Sequence, residues 1–284
     1  MKKIALLAKV HDPRCQGVAV DLINWLEDRG VIPLVESHLA RHLSFRNGIP
    51  ADDIPAQADL VVVLGGDGTL ISAARLVGDR EIPILAVNLG SLGFMTEITV
   101  NEMYPALERC LAGDFHTSAR MMLRIGLERN GEEISVHSVL NDAVINKGAL
   151  ARIIDIETLV DGFCLSTFKA DGLIISTPTG STGYSLSANG PIIHPALDAL
   201  VITPICPHTL TNRPVVVSGD AHLVLRLRSL NEDVFLTLDG QVGFELNCGD
   251  TITIRKASHR TILVSSKHRD FFEVLRTKLK WGER

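Results

Sequence analysis

The sequence predicts a doubly wound α/β domain followed by an all-β domain, and three observations carry that prediction. In the first hundred residues, short β-branched apolar runs alternate with stretches of helical spacing. From about Arg120 the apolar period shortens to two, and at Phe271–Leu279 helical spacing returns. The expected domains are 1–119 plus 265–284, which the last helix rejoins, and 120–264. A chain of 284 residues is long enough for each to bury its own core.

In chain order, strands are expected at Lys3–Ala8, Val31–Val35, Leu60–Leu64 and Pro83–Val87, with helices at Pro13–Arg29 and Thr69–Val77. Val18, Leu22, Trp25 and Leu26 share one face of the first helix, and Gly30 closes it. Leu60–Leu64 is too short for a helix and rich in Val, as a fully buried parallel strand requires. The Pro, Gly and charge content of Arg41–Gln57 fits either a plain surface excursion or a loop that closes over a site. Alternating strands follow at Leu123–Leu127, Ser135–Leu140, Ile153–Val160, Phe163–Phe168, Leu223–Leu227, Val234–Leu238 and Thr251–Ile254. Asp161–Gly162 marks a hairpin turn, and Asp239–Gly240 marks a second.

Composition narrows the function. Twenty-eight basic against 33 acidic residues leave a net charge of −5, which disfavours nucleic acid and anionic lipid as partners. Five cysteines without a CxxC pair signal neither zinc nor a disulfide framework. No apolar run approaches the roughly 18 residues of a membrane span, so a cytoplasmic protein with no membrane partner is expected.

Two stretches carry chemistry. In DLVVVLGGDGTLISAA, Asp59–Ala74, a buried strand runs into Gly65, Gly66, Asp67, Gly68 and Thr69. Glycines there permit positive φ and close approach of a ligand, Thr69 suits a helix cap, and helix amides favour an anion. Asp67 then sits beyond the carboxyl end of a strand, where open α/β sheets bind ligands. A tight turn with a solvated Asp is the bland alternative. No GxGxxG or GxxxxGK[ST] fingerprint occurs. The second stretch, Ser176–Gly190, is Gly, Ser or Thr at ten of fifteen positions. A linker is one reading; Pro178, Tyr184, Leu186 and the flanking strands favour a site for a ligand rich in hydroxyl and phosphate oxygens. Asn141–Asp142 lies where a strand breaks, and Lys169 and Asp171 bracket the approach to the glycine-rich stretch.

GGDGT, Asn141–Asp142 with the apolar residues after it, and ADGLIISTPTGSTGYSLSANGP at Ala170–Pro191 together resemble the NAD kinases. So do NLGSLGF at Asn88–Phe94, PHTLTNRP at Pro207–Pro214 and DGQ at Asp239–Gln241. The resemblance implies phosphorylation of the 2′-hydroxyl of the adenosine ribose of NAD by ATP, a C-terminal β-sandwich, and a homodimer or homotetramer. It also implies Asp67 as proton acceptor, with Gly68, Asn141, Asp142, Arg152, Lys169, Asp171, Thr182, Gly183, Tyr184, Ser185, Leu186, Ser187 and Gln241 as binding residues. Gly65, Gly66 and Thr69 would form the phosphate loop. A divalent metal, Mg²⁺, is expected to arrive with the substrate phosphates rather than on a protein cluster. Gly183 and Asn189 depart from the commoner Ala and Gly of the family, and Asn tolerates the left-handed conformation that Gly would adopt. An ordinary Asp titrates near 4, yet phosphoryl transfer rests on orientation and charge neutralisation, with the proton free to leave late. A lipid kinase would share GGDGT but needs an apolar or basic membrane face. A sugar-phosphate kinase needs a second basic cluster, and a non-catalytic dinucleotide sensor would bind without turnover. Donor choice, NAD against NADH and inhibition by NADP stay open in the sequence.

Overall fold

Five consecutive Val and Leu residues with no polar interruption must be covered on both faces. In the computed structural model, which describes residues 1–45, 47–148, 152–230 and 233–282, all five are buried. They lie in a parallel sheet of β1 (Lys3–Ala8), β2 (Ile32–Val35), β3 (Leu60–Leu64) and β4 (Ile84–Asn88), in the order β2-β1-β3-β4. The short β5 (Ile98–Thr99) pairs with β4. The helices of this unit are α1 (Pro13–Glu27), α2 (Ser37–His42), α3 (Asp67–Val77) and α4 (Val100–Ala112). Ile4, Leu6, Leu22, Leu26, Val62 and Leu107 share its apolar core.

Three expectations change here. Helix α3 begins at Asp67, two residues before the expected Thr69, with Gly66 at the N-cap in extended conformation. Thr69 is therefore inside the helix and caps nothing. The segment Arg41–Gln57, apart from Arg46, which lies outside the described residues, is not a bare loop. It begins in the end of α2, contains the 3₁₀ helix Ala51–Ala56 and buries Ile54. Helix α4, unforeseen, starts on a Thr99–Glu102 capping box and ends on Gly113 at φ 76°.

The chain divides into two compact units, residues 1–119 with 259–284 and residues 120–258. The second is built from β6 (Thr117–Arg129), β7 (Glu132–Val139), β8 (Asp142–Lys147), β9 (Ile154–Val160), β10 (Phe163–Ala170) and β11 (Gly172–Ser176). After the short helix α5 (Tyr184–Ser187) come β12 (Ala199–Ile205), β13 (Val215–Ser218), β14 (Leu223–Leu227), β15 (Val234–Leu238), β16 (Val242–Leu246) and β17 (Thr251–Val264). One sheet runs β13-β12-β11-β8-β15-β16 and is antiparallel throughout. The other contains β10-β9-β14-β17, with β6 paired to β17 and β7 to β6. Alternate residues of both, among them Ile125, Ile145, Ile156, Leu173, Leu225 and Leu236, fill a single core, the packing of a β-sandwich. Asp161–Gly162 form the two-residue turn from β9 to β10, and Asp239–Gly240 begin the three-residue turn from β15 to β16, with positive φ at all four positions. The closing helix α6 (Phe271–Leu279) belongs to the first unit.

Candidate functional site

In the first unit the chain passes from β1 out to β2 and then returns to the opposite side of β1 as β3. This reversal leaves a crevice beyond the carboxyl ends of β1 and β3, the place where such sheets bind ligands. A cavity of about 780 Å³ lies there, lined by Lys9 and His11 after β1 and by Gly66, Gly68, Thr69 and Arg75 after β3. Lys9 was legible as the first residue beyond β1; nothing in the motif pointed to Arg75.

The glycines of the GGDGT loop do different work from that expected. None of Gly65, Gly66 and Gly68 has positive φ. A Cβ at Gly65 would stand 2.5 Å from Thr69 Oγ1, and its N–H already donates to Val87 O, so Gly65 serves packing and offers no amide to a phosphate. Gly66 and Gly68 have no atom within 4 Å of a Cβ position. Their bareness leaves room for something other than protein.

Asp67, at the first turn of α3, is half-buried and turned toward a loop 27 to 29 residues further on. Its Oδ1 accepts from Met95 N (3.2 Å), Thr96 N (3.0 Å) and Thr96 Oγ1 (3.0 Å), and its Oδ2 from Phe94 N (2.9 Å). Thr96 Oγ1 in turn accepts from Asn88 Nδ2 at 2.9 Å, and Asn88 Oδ1 accepts Gly90 N at 2.6 Å. Gly93 makes this contact possible, because a Cβ there would fall 2.2 Å from Asp67 Oδ1. A carboxylate offers about two acceptor positions per oxygen. Oδ1 is saturated, whereas Oδ2 takes one donor from the described residues. The stretch NLGSLGF contains Asn88 and Gly93 without marking a role for either, and Thr96 lies just beyond it.

In the second unit Asn141, Asp142 and Tyr184 line one cavity of about 330 Å³ together with Asn146 and Asp239. Asp142 is buried, and the buried side-chain oxygen Asn141 Oδ1 has no hydrogen-bond partner among the described residues. Burial, reinforced by the charge of Asp239, raises the Asp142 carboxyl from 3.8 to about 7.

The Ser176–Gly190 stretch is not a linker: Ser176–Ser181 are buried without a break. Four of its hydroxyls are spent on the fold, while the buried Ser176 Oγ and Thr179 Oγ1 have no hydrogen-bond partner among the described residues. Thr177 Oγ1 donates to Leu140 O (2.6 Å), Ser181 Oγ to Pro178 O (2.6 Å) and Thr182 Oγ1 to Thr179 O (3.2 Å), while Ser185 Oγ bonds Thr203 Oγ1 (3.0 Å). A Cβ on Gly180 would stand 2.2 Å from Asn141 O. The stretch thus builds the wall against which Asn141 is held. Asn189 takes φ 65°, the left-handed conformation that its side chain tolerates.

The remaining expected residues lie outside that cavity's lining. Lys169 is exposed and pairs with Asp155 (3.7 Å), and Asp171 pairs with Lys147 (3.6 Å). Arg152, Ser187 and Gln241 are exposed, while Gly183 and Leu186 are partly so. Among the described residues no three His, Cys, Asp or Glu side chains gather to hold a metal, and no helix is long and apolar enough to cross a membrane.

Comparison with known proteins adds to this geometry. The family models for the ATP-NAD kinase N-terminal and C-terminal domains match residues 4–115 and 140–266. The chain is 71% identical over 284 residues to an NAD kinase of Geobacter sulfurreducens and 73% identical to one of Geotalea daltonii, with 100% of each chain covered. Among solved structures it resembles yeast NADH kinase complexed with NADH, at a TM-score of 0.93 and 26% identity, covering 100% of this chain and 89% of that one. The fold is also that of an NAD kinase from Archaeoglobus fulgidus in complex with ATP, at a TM-score of 0.77 and 23% identity, covering 98% of each.

Proposed function

The chain belongs to the ATP-NAD kinase family, and from that premise we propose how its residues divide the work. It is a phosphotransferase that phosphorylates NAD with ATP to give NADP. The proton acceptor is Asp67. One observation supports this above the others: the loop Phe94–Thr96 fixes the carboxylate and fills Oδ1, which leaves an acceptor position on Oδ2.

The 2′-hydroxyl of the adenosine ribose donates to that position, so its oxygen points a lone pair toward the donor's γ-phosphorus. As the loose transition state forms, the terminal P–O bond of ATP breaks while the ribose oxygen bonds phosphorus. The hydroxyl proton passes to Oδ2 late in the step, and ADP leaves. Gly66, Gly68 and Thr69, with Lys9 and Arg75, face the cavity that receives the donor phosphates. Gly65 shapes the loop. Mg²⁺, carried on the donor phosphates beside Gly66, Gly68 and Thr69, would neutralise charge on the triphosphate.

NAD is held in the second unit by Asn141 and Asp142, with Tyr184 beside them. Thr182, Gly183, Ser185, Leu186 and Ser187 support that wall, and Arg152, Lys169, Asp171 and Gln241 contribute polar groups to the bound dinucleotide. The two units correspond to two domains divided at 119/120 and again near 258–264. The active form is a cytoplasmic homodimer or homotetramer, a reading favoured by the unpaired cysteines and by the open edges of β13 and β16. Light scattering counts the subunits. The test of the acceptor is Asp67→Asn, which loses about 10² to 10⁴ in turnover while NAD binding by calorimetry persists; wild-type turnover in this variant removes Asp67 from that role.

A further inference from the structure

We propose that Asp239 is a positioning residue for the dinucleotide site: it fixes the main chain that presents Asn141 and Asp142, and its charge links that site to a proton. The inference rests on Asn141 and Asp142 binding NAD.

Asp239 closes β15 at φ 52° and is buried. Its Oδ1 accepts Asn141 N (2.7 Å) and Asp142 N (3.1 Å), and its Oδ2 accepts Leu140 N (2.9 Å). Asp239 N donates back to Asp142 O at 2.9 Å. Three successive amides converge on one carboxylate, which sets the break between β7 and β8 and thereby the directions of the two side chains. Asparagine cannot replace it. The amide oxygen offers two acceptor positions, and the NH₂ group would confront a main-chain N–H.

The charge that organises the turn also faces Asp142. The titratable side chains lining this cavity are Asp142, Asp239 and the phenol of Tyr184. From β11, the residue opposite Asp142 is the uncharged Ser176. Lys147, at the far end of β8, alternates to the other face and pairs with Asp171. Two carboxylates thus meet in a buried space whose lining, among the described residues, includes no Lys or Arg, an arrangement that favours retention of a proton. The raised titration of Asp142, to about 7, agrees with this placement. A ribose hydroxyl donates more strongly to an ionised Asp142 than to a protonated one, which offers a weaker acceptor and an O–H donor of its own, so NAD affinity is expected to change through neutral pH.

The experiment measures NAD affinity from about pH 5.5 to 8.5 by calorimetry, with circular dichroism on every variant. In wild type a one-proton transition is expected near neutrality. In Asp239→Asn the Kd for NAD rises about 10- to 100-fold, the KM for ATP stays within about twofold, and the transition moves to lower pH. A folded Asp239→Asn with wild-type affinity and the wild-type pH profile overturns the proposal. If that variant does not fold, Asp142→Asn decides: it leaves the three amide bonds in place and should abolish the transition, and its persistence overturns the proton linkage. Asn141→Ala separates the two levels. Unchanged NAD affinity there refutes the site itself, whereas a loss there with none in Asp239→Asn refutes only the role given to Asp239.

Discussion

Asp67 and Asp239 are held in the same way and put to different ends. Each collects three main-chain N–H groups from a segment distant in sequence, Phe94–Thr96 for one and Leu140–Asp142 for the other. Asp67 is half-buried at the mouth of a helix, and the clamp presents the aspartate itself. Asp239 is buried at a hairpin, and the clamp presents its neighbours. A cluster of amides around a carboxylate therefore identifies a fixed point in the fold. Whether the carboxylate acts or merely holds is decided by what its remaining acceptor capacity faces.

The sharpest way to break the first clamp is Gly93→Ala. The added methyl falls 2.2 Å from Asp67 Oδ1 and from Thr96 Oγ1, so the carboxylate or the loop must shift. A displacement of about 1 Å at a reacting group costs on the order of 10² in rate. Steady-state kinetics should show kcat falling by that factor, with a much smaller change in the NAD dissociation constant. Retention of wild-type kcat would mean that the amides around Asp67 do not set its reactive position.

The second region yields the next effect, and it has the opposite sign for stability. Asp142 titrates at about 7 when folded against an ordinary 3.8. Between those values the folded chain holds a proton that the unfolded chain has released, so stability falls as pH rises from about 4 to 7 and stays reduced above. Asp142→Asn carries no charge at any pH. It should be more stable than wild type at about pH 8, by roughly 1 to 3 kcal/mol, with the gain vanishing near pH 4, while NAD binding weakens. Thermal melts across that range check it; a variant less stable than wild type at pH 8 contradicts the buried, protonated state.

Thr96→Val should act more mildly. It removes the hydroxyl bond to Asp67 and the acceptor of Asn88 Nδ2, but leaves the three amides. One hydrogen bond to a charged group is worth about 1.5–3 kcal/mol; with the amides compensating, a kcat loss near tenfold is expected, and an equal loss in Asn88→Ala would place both residues in one chain.

The sequence made many strands legible and the clamps invisible, for a physical reason. Leu60–Leu64 and Asp161–Gly162 announce themselves through residues adjacent in the chain. The partners of Asp67 and Asp239 are 27–29 and 97–99 residues away, and main-chain N–H donors leave no trace in residue identity. Gly93 is the exception, a position where the missing Cβ was a readable sign. Helix α4 was missed although Thr99 and Glu102 spell a capping box, because Pro105 argues against a helix interior. Strand β12 was missed because Pro204 interrupts its apolar run. The hydroxyls of Ser176–Gly190 suggested a ligand by their number, yet four of them are taken up by the fold, from Leu140 to Thr203.

A third carboxylate extends the comparison to a case with a cation in the clamp. Glu102 accepts the Thr99 N–H and hydroxyl at the start of α4, and Arg269 Nη1 reaches it at 2.8 and 3.0 Å. Burial alone would raise its titration, but the guanidinium and the Thr99 donors outweigh that and hold it at about 2 against an ordinary 4.5. A lowered value contributes stability that is present above about pH 4.5 and is lost as pH falls toward 2. Arg269→Ala should therefore lower stability at neutral pH by about 1 kcal/mol, modest because both side chains are partly solvated. The deficit should close under acid, where wild type has lost the same contribution. Because Arg269 also donates to Glu97 O at 2.8 Å, Glu102→Gln in the same background separates the ion pair from that second bond. If Arg269→Ala is as deficient at about pH 2.5 as at pH 7, the charge in this clamp contributes nothing and the main-chain donors alone hold the helix start.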